Sequence, residues 1–375
     1  MGVFDGLGGA PGLRRRAEFG LRYQYLSGGV NTGRGWTLWE GGGFVRRYAE
    51  ESAANGLLPI FTYYMIVHSS PGSPQGEKGI TVNLQTTATM RAYFNDLKLF
   101  FQQAASARGP VVLHLEPDLW GFMQLSSSGD AAKAPVQVAA TGITELAGLP
   151  DNMAGFAQAI VRLRDAAAPN VLLAYHLSAW GTGEDFVYSN APAGQVDGLG
   201  LRAAAYYLTL RADFDLVFSE FSDRDAGSKT VSGDRGAWWD AGDFARHLTF
   251  IRSFVETAQK RVVLWQIPFG NTKMRAVNNT RGHYQDNKVE TLFDDPELAS
   301  LKAYVAAGVI AFLFGRGADG MTCPCDAMLD GVTNPAPING NSRPSLSADD
   351  DGGFFWLKAR EYYDAGPLSL SVGPR

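Results

Sequence analysis

Cysteine is almost missing from this chain of 375 residues; Cys323 and Cys325 are the only two. One proline separates them, too short a spacing for an unstrained disulfide. Two thiols alone cannot complete a tetrahedral zinc site. They read as free thiols or as a strained small loop. Histidine is scarce too, 5 in all, and neither His-x-His nor His-Glu-x-x-His spacing occurs. No motif therefore marks a metal site, and neither metal nor cofactor is expected. No run of about 18 apolar residues exists, which excludes a membrane-spanning helix. Charged residues are only 19% of the chain and the net charge is −5, with Arg14-Arg15-Arg16 the one basic cluster. Phosphate binding needs clustered Lys and Arg, so a nucleic-acid partner is not expected. No signal peptide is visible. Met1-Gly2-Val3 reads as an expression start joined to a mature chain, and the expectation is a secreted or periplasmic protein with its leader already removed.

What is present is apolar, aromatic and glycine-rich material. Hydrophobic residues make up 45% of the chain, enough for a large core and too much for a disordered one. Aromatics are 12%, with 8 Trp, and glycine counts 44. Many tryptophans with few charges are common in proteins that handle sugars.

One pattern recurs along the chain. A short apolar run is followed by a Gly/Ser/Asp-rich loop and then an amphipathic segment. The runs are Leu21–Leu26, Leu58–Val67, Val111–Glu116, Val171–Leu177, Phe214–Phe221, Val262–Ile267 and Val309–Phe314. Helical periodicity marks Phe44–Asn55, Thr89–Ala107, Met153–Ala167, Leu199–Leu210, Ala241–Gln259, Pro296–Ala306 and Phe354–Tyr363. Nearly continuous apolar strands alternating with helices predict a parallel sheet. Loops from helix to strand are short, whereas those from strand to helix are long. That asymmetry predicts a single TIM-like (β/α) barrel with its long loops on the C-terminal face. Seven strands are convincing, so a distorted barrel of seven to eight is expected. Residues 20–366 would form it, with 1–19 as an N-terminal extension and 367–375 as a tail. A doubly wound sheet is the alternative, but Gly28-Gly29-Val30-Asn31-Thr32-Gly33 matches its phosphate fingerprint poorly.

The strand ends carry the chemistry. One reads Val-Val-Leu-His114-Leu-Glu116-Pro117-Asp118-Leu-Trp120. Side chains alternate along a strand, so His114, Glu116 and Asp118 are expected to point together into the barrel and its mouth. Converging carboxylates and an imidazole are costly to bury unless bonded or functional. A hydrogen-bond network anchoring the barrel is the bland alternative for Glu116. Another strand ends Ser219-Glu220-Phe221-Ser222-Asp223-Arg224-Asp225. There Glu220 is the functional candidate, and Arg224 reads as the centre of a salt-bridge network. Trp36, Trp39, Trp120, Trp180, Trp238, Trp239 and Trp265 all follow or end a strand on the same presumed face. Together with Gln266 and Arg316 they are the expected sugar-binding residues, although large aromatics also pack under long loops.

Three segments together resemble glycoside hydrolase family 6, inverting cellulases built on a distorted seven-stranded barrel. These are Leu115-Glu116-Pro117-Asp118, Tyr175-His176-Leu-Ser-Ala-Trp180-Gly181 and Gly315-Arg316-Gly317-Ala318-Asp319-Gly320. The resemblance spans roughly residues 57–325. It implies that Asp118 is the general acid and Asp319 the base, acting on a β-linked glucan such as cellulose. The chain departs from the family where Ile66-Val67-His68-Ser69-Ser70 holds no auxiliary Asp, and where Leu119 replaces a Ser. His68 could take part of the auxiliary role.

An inverting pair stands about 6.5–9.5 Å apart to admit water. Glu116, His114 or His176 could keep Asp118 protonated through like charge or burial. The rival readings are a retaining pair of Glu116 and Glu220 about 5–5.5 Å apart, metal-dependent hydrolysis, and a glycan-binding barrel without chemistry. The expected partner is a polysaccharide or oligosaccharide. A monomer is expected and a dimer is left open. Asn278-Asn279-Thr280 is a glycosylation-type sequon. Asp349-Asp350-Asp351 reads as the end of a loop capping the final helix.

Overall fold

Eight parallel strands close into a barrel in simple sequence order. They are β1 (Gly2–Phe4), β2 (Leu21–Leu26), β3 (Leu58–Tyr63), β4 (Val111–Leu115), β5 (Val171–Leu177), β6 (Leu216–Glu220), β7 (Val262–Pro268) and β8 (Val309–Gly315). The computed structural model describes residues 1–186, 188–221, 225–226, 229, 236–272, 286–315 and 354–370. Among these the helices are α1 (Ala10–Arg16), α2 (Phe44–Ala54), α3 (Glu77–Leu84), α4 (Thr87–Ala104), α5 (Leu119–Ser126), α6 (Met153–Ala167), α7 (Ala193–Thr209), α8 (Ala241–Ala258), α9 (Lys288–Phe293), α10 (Ala299–Ala306) and α11 (Phe354–Asp364). None is long and apolar enough to cross a membrane.

The seven apolar runs are β2 to β8. The eighth strand is β1, three residues long and too short for any period to show. Residues 1–19 are therefore not an extension; they supply β1 and α1. Gly2 pairs with Leu21 on one side and Leu313 on the other. A Cβ at Gly2 would fall 2.6 Å from both side chains, so close pairing needs the bare backbone. The helix starts follow local chemistry. Asp240 and Asp243 form a reciprocal capping box at the start of α8, and Asn152 accepts from the Gly155 N–H at the start of α6.

The alternation of side chains sorts the core into two layers. Tyr23, Ile60, Val112, Ala174, Phe218, Val263, Trp265 and Leu313 fill the inside of the barrel, drawn from β2 to β8. The larger cluster packs strands against helices. The barrel is distorted at one seam, where the β7–β8 register slips between Leu264 and Ile267. Gln266 sits in that slip with φ +52°.

Buried charge and aromatic stacking hold the seam around β1. Arg22 is fully buried. It donates to the Asp5 and Glu51 carboxylates at 2.9 and 3.1 Å, to Ser52 Oγ at 2.7 Å and to the Tyr48 carbonyl at 3.0 Å. The Met1 amino group donates to the Tyr363 hydroxyl at 3.0 Å. Phe19 packs on Phe355, Trp356 and Tyr363. The two ends of the described chain thus meet on α11.

Candidate active site

The chain leaves β4 by an unusual route. Glu116 and Asp118, on either side of Pro117, both take positive φ, +47° and +72°. Side chains other than Gly, Asn and Asp seldom sit there, and such outliers cluster at functional sites. The turn breaks the strand's alternation. Glu116 does not join Asp118 at the mouth, as a regular strand would have placed it. Its carboxylate is buried and accepts from the Met65 and Ile66 N–H groups at 3.2–3.3 Å. Its neighbours there are Tyr93 and Asp96, both from α4. Burial pushes its pKa up to about 8. Glu116 thus holds the segment after β3, and it is not among the residues that line the cavity with Glu220.

This anchor has a pH signature. The ordinary value for this carboxyl is 4.5, so between pH 4.5 and 8 the folded chain holds a proton that the unfolded chain releases. Stability is therefore fully present below pH 4.5 and falls as pH rises through that window, by roughly 3–5 kcal/mol for this group. Glu116→Gln should flatten the profile. Urea midpoints at pH 5 and pH 8.5 check it; equal slopes in both proteins would refute the assignment.

Asp118 is half-buried and accepts a 2.7 Å hydrogen bond from the Tyr64 hydroxyl. It lines a cavity of about 220 Å³ at the C-terminal ends of the strands. Glu220, at the end of β6, lines the same cavity, as does Asp185, with Lys229 as its cation. Trp180, Tyr188, Phe221 and Trp239 form the aromatic wall, and His247 stands behind them. His247 is buried, shares a hydrogen bond between Nδ1 and the Tyr304 hydroxyl at 3.0 Å, and is pushed down to about 3 by burial. Trp239 is braced by the ammonium of Lys288, 4.7 Å from its ring. That buried ammonium lies 3.3 Å from Asp286.

His114 and His176 do not flank Asp118. Both are fully buried inside the barrel. His114 Nδ1 meets the Thr62 hydroxyl at 3.2 Å and its Nε2 meets His176 Nδ1 at 3.0 Å. His176 Nε2 lies 3.5 Å from the Glu220 carboxylate.

The tryptophans divide by burial. Trp180 and Trp239 face the cavity. Trp36 and Trp120 do not; both are fully buried, with their ring N–H groups donating to Asp96 and to the Leu115 carbonyl, each at 2.8 Å. Trp265 is buried inside the barrel, edge-on to His114 and His176. Trp39 is half-buried against Phe44. Trp238 is half-buried just before α8. Gln266 donates to the Tyr25 hydroxyl within the mouth. His68 stands edge-on to Tyr64. Arg316, Asp319, Asp223, Arg224, Cys323, Cys325, the sequon and the Asp349–Asp351 run lie outside the described residues. Among the described residues no three His, Cys, Asp or Glu side chains gather as a metal site.

Sequence reasoning passed over Tyr64, Asp185, Tyr188, Lys229 and His247. Asp185 and Tyr188 fall in the 178–198 loop, whose length was the only available signal. Tyr64 lay within a run read as buried strand.

No known family's sequence profile matches this chain, and no curated protein matches it. Several solved structures are similar. A family 26 β-mannanase from Bacteroides ovatus is 12% identical over 94% of this chain and 82% of its own, with a TM-score of 0.44. Fungal β-1,4-galactanase is 10% identical over 81% of this chain and 79% of its own, TM-score 0.42. The catalytic domain of Cellulomonas fimi Cel6B is 12% identical over 84% of this chain and 79% of its own, TM-score 0.34.

Proposed function

We propose that this chain is a glycoside hydrolase cutting a β-linked glycan, with Asp118 as the proton donor to the leaving oxygen. One observation carries the reading: Asp118 and Glu220 line one cavity at the C-terminal mouth of the barrel, against a wall of Trp180 and Trp239. Catalytic groups of this fold stand on that face. Glycosidic cleavage needs two carboxyl groups and no cofactor. Indole faces offer flat apolar surface to a sugar ring, and binding energy gained there is available at the scissile bond. A polymeric glucan as substrate would place the protein outside the cytoplasm, acting as a monomer.

The resemblance to glycoside hydrolase family 6 makes Asp319 the base and the outcome inverting. A second reading takes Glu220 as the partner of Asp118, favoured by their shared cavity. Proton NMR of products from cello-oligosaccharides and mixed-linkage glucan separates the two. Products appearing first as the α-anomer, with activity lost in Asp319→Asn, support Asp319. Products that keep the β configuration and vanish in Glu220→Gln support Glu220. A chain that binds these glycans and cuts none of them is a binding barrel, and the enzyme reading falls.

A further inference from the structure

The inside of a barrel like this is normally packed with branched apolar side chains. Here a line of polar groups crosses it. Thr62 on β3 is level with His114 on β4. His114 is level with Ala174 on β5, and His176 lies two residues further along. His176 is level with Phe218 on β6, and Glu220 again lies two residues further. From His114 onward each step climbs one pleat toward the mouth, following the stagger of the strands. The line ends on a carboxylate in the cavity. Phe218 stacks on His114 at 4.4 Å, and Trp265 walls off both rings. Water is excluded along its length, and a buried polar group without a partner is costly.

The chemistry of each group sets the direction of the line. A carboxylate only accepts, so His176 must present its Nε2–H to Glu220. With a single proton, at Nε2, His176 accepts at Nδ1 and His114 donates from Nε2. His114 in turn accepts at Nδ1, and the Thr62 hydroxyl donates to it. Burial holds His114 far below the ordinary imidazole value, which agrees with a neutral ring. The last link is the longest. At 3.5 Å it is longer than a made hydrogen bond, and His176 Nε2 makes no hydrogen bond among the described residues. Catalytic hydrogen bonds are often long before substrate arrives and tighten with it.

We infer that Glu220 is the reacting carboxylate opposite Asp118 and that His176, fixed from behind by His114, is its positioning residue. The inference rests on the glycoside hydrolase reading and deepens it. The inner line supplies one aimed N–H, which orients the carboxylate without spending the second oxygen.

Kinetics and NMR together test it. His176→Leu should cut kcat by up to about 100-fold with KM within about two-fold, the scale expected when a reacting group is misplaced by about 1 Å. His176→Gln, which keeps an N–H, should recover part of the loss. In a Glu220→Gln background, His176→Leu should cost nothing further. Losses that multiply in the double variant, or that fall on KM alone, would overturn the inference. Nitrogen-15 imidazole spectra of the wild-type chain provide a readout that needs no turnover and no stable His176→Leu protein. Both His114 and His176 should carry their proton on Nε2, and Glu220→Gln should move the His176 signal. A proton on His176 Nδ1 alone, or a His176 signal indifferent to Glu220→Gln, would also overturn it. A wild-type chain that cuts no glycan would remove the catalytic role together with the hydrolase reading, while the spectra would still decide the wiring.

Discussion

Asp118→Asn should leave the fold intact and lower kcat by about 10²–10⁴-fold, the range lost with a positioned proton donor. The substitution is unusually clean here for a backbone reason. Asp118 sits at φ +72°, ψ −42°, the centre of a tight turn closed by the Leu119 N–H on the Pro117 carbonyl at 2.9 Å, and Asn, isosteric with Asp, leaves the cost of that turn unchanged. The amide oxygen can still accept from Tyr64. Only the transferable proton is lost. Asp118→Ala would mix two effects, since it removes the carboxyl and with it the Tyr64 hydrogen bond that helps hold a strained turn. Initial rates on a cleavable glucan, alongside thermal melts of both variants, separate chemistry from strain. A fully active Asp118→Asn protein would remove Asp118 from the reaction.

Arg22→Met should cost about 3–5 kcal/mol of stability, the usual price of leaving one half of a buried ion pair behind. Arg22 is fully buried, while Asp5 and Glu51 are 15% and 18% exposed at the side chain. Without the guanidinium the two carboxylates face each other, and the Ser52 hydroxyl and Tyr48 carbonyl lose a donor. Packing against the Tyr48 ring, 3.8 Å from the guanidinium carbon, goes as well. Adding Asp5→Asn and Glu51→Gln to the same chain should return part of the loss, because no like charges remain. Urea unfolding midpoints measure both steps. A single variant as stable as wild type would show that the cluster contributes nothing to holding β1 in place.

The architecture was legible because strands and helices of this fold are long enough for their periods to show. The runs at Leu21–Leu26 and Val171–Leu177 and the helix at Met153–Ala167 coincide with the observed elements to the residue. Gly2–Phe4 was invisible because three residues have no period. The site was legible only in part. Glu220 ends a strand and Asp118 lies just past the end of one, and strand ends can be placed from sequence. Glu116 was misplaced because alternation assumes regular backbone, and nothing in the letters Glu-Pro-Asp announces two residues with positive φ. Trp36 and Trp120 were assigned to sugar because position along the chain shows which end of the barrel a residue occupies, not whether its ring turns inward. The partner of His176 was hidden for a related reason, since it depends on the stagger between strands.

The pairing of β1 with β8 orders events during synthesis. Gly2 and Val3 are made long before their partners Leu313 and Phe314, which come more than 300 residues later. Until then the edge of β1 that β8 will cover stays open, with β1 held on its other side by β2 alone. Contacts between such distant segments are the slowest to form, and unpaired strand edges invite association with other chains meanwhile. The closing seam, and not the cavity at the mouth, is therefore where this chain is most exposed to misassembly before β8 is in place.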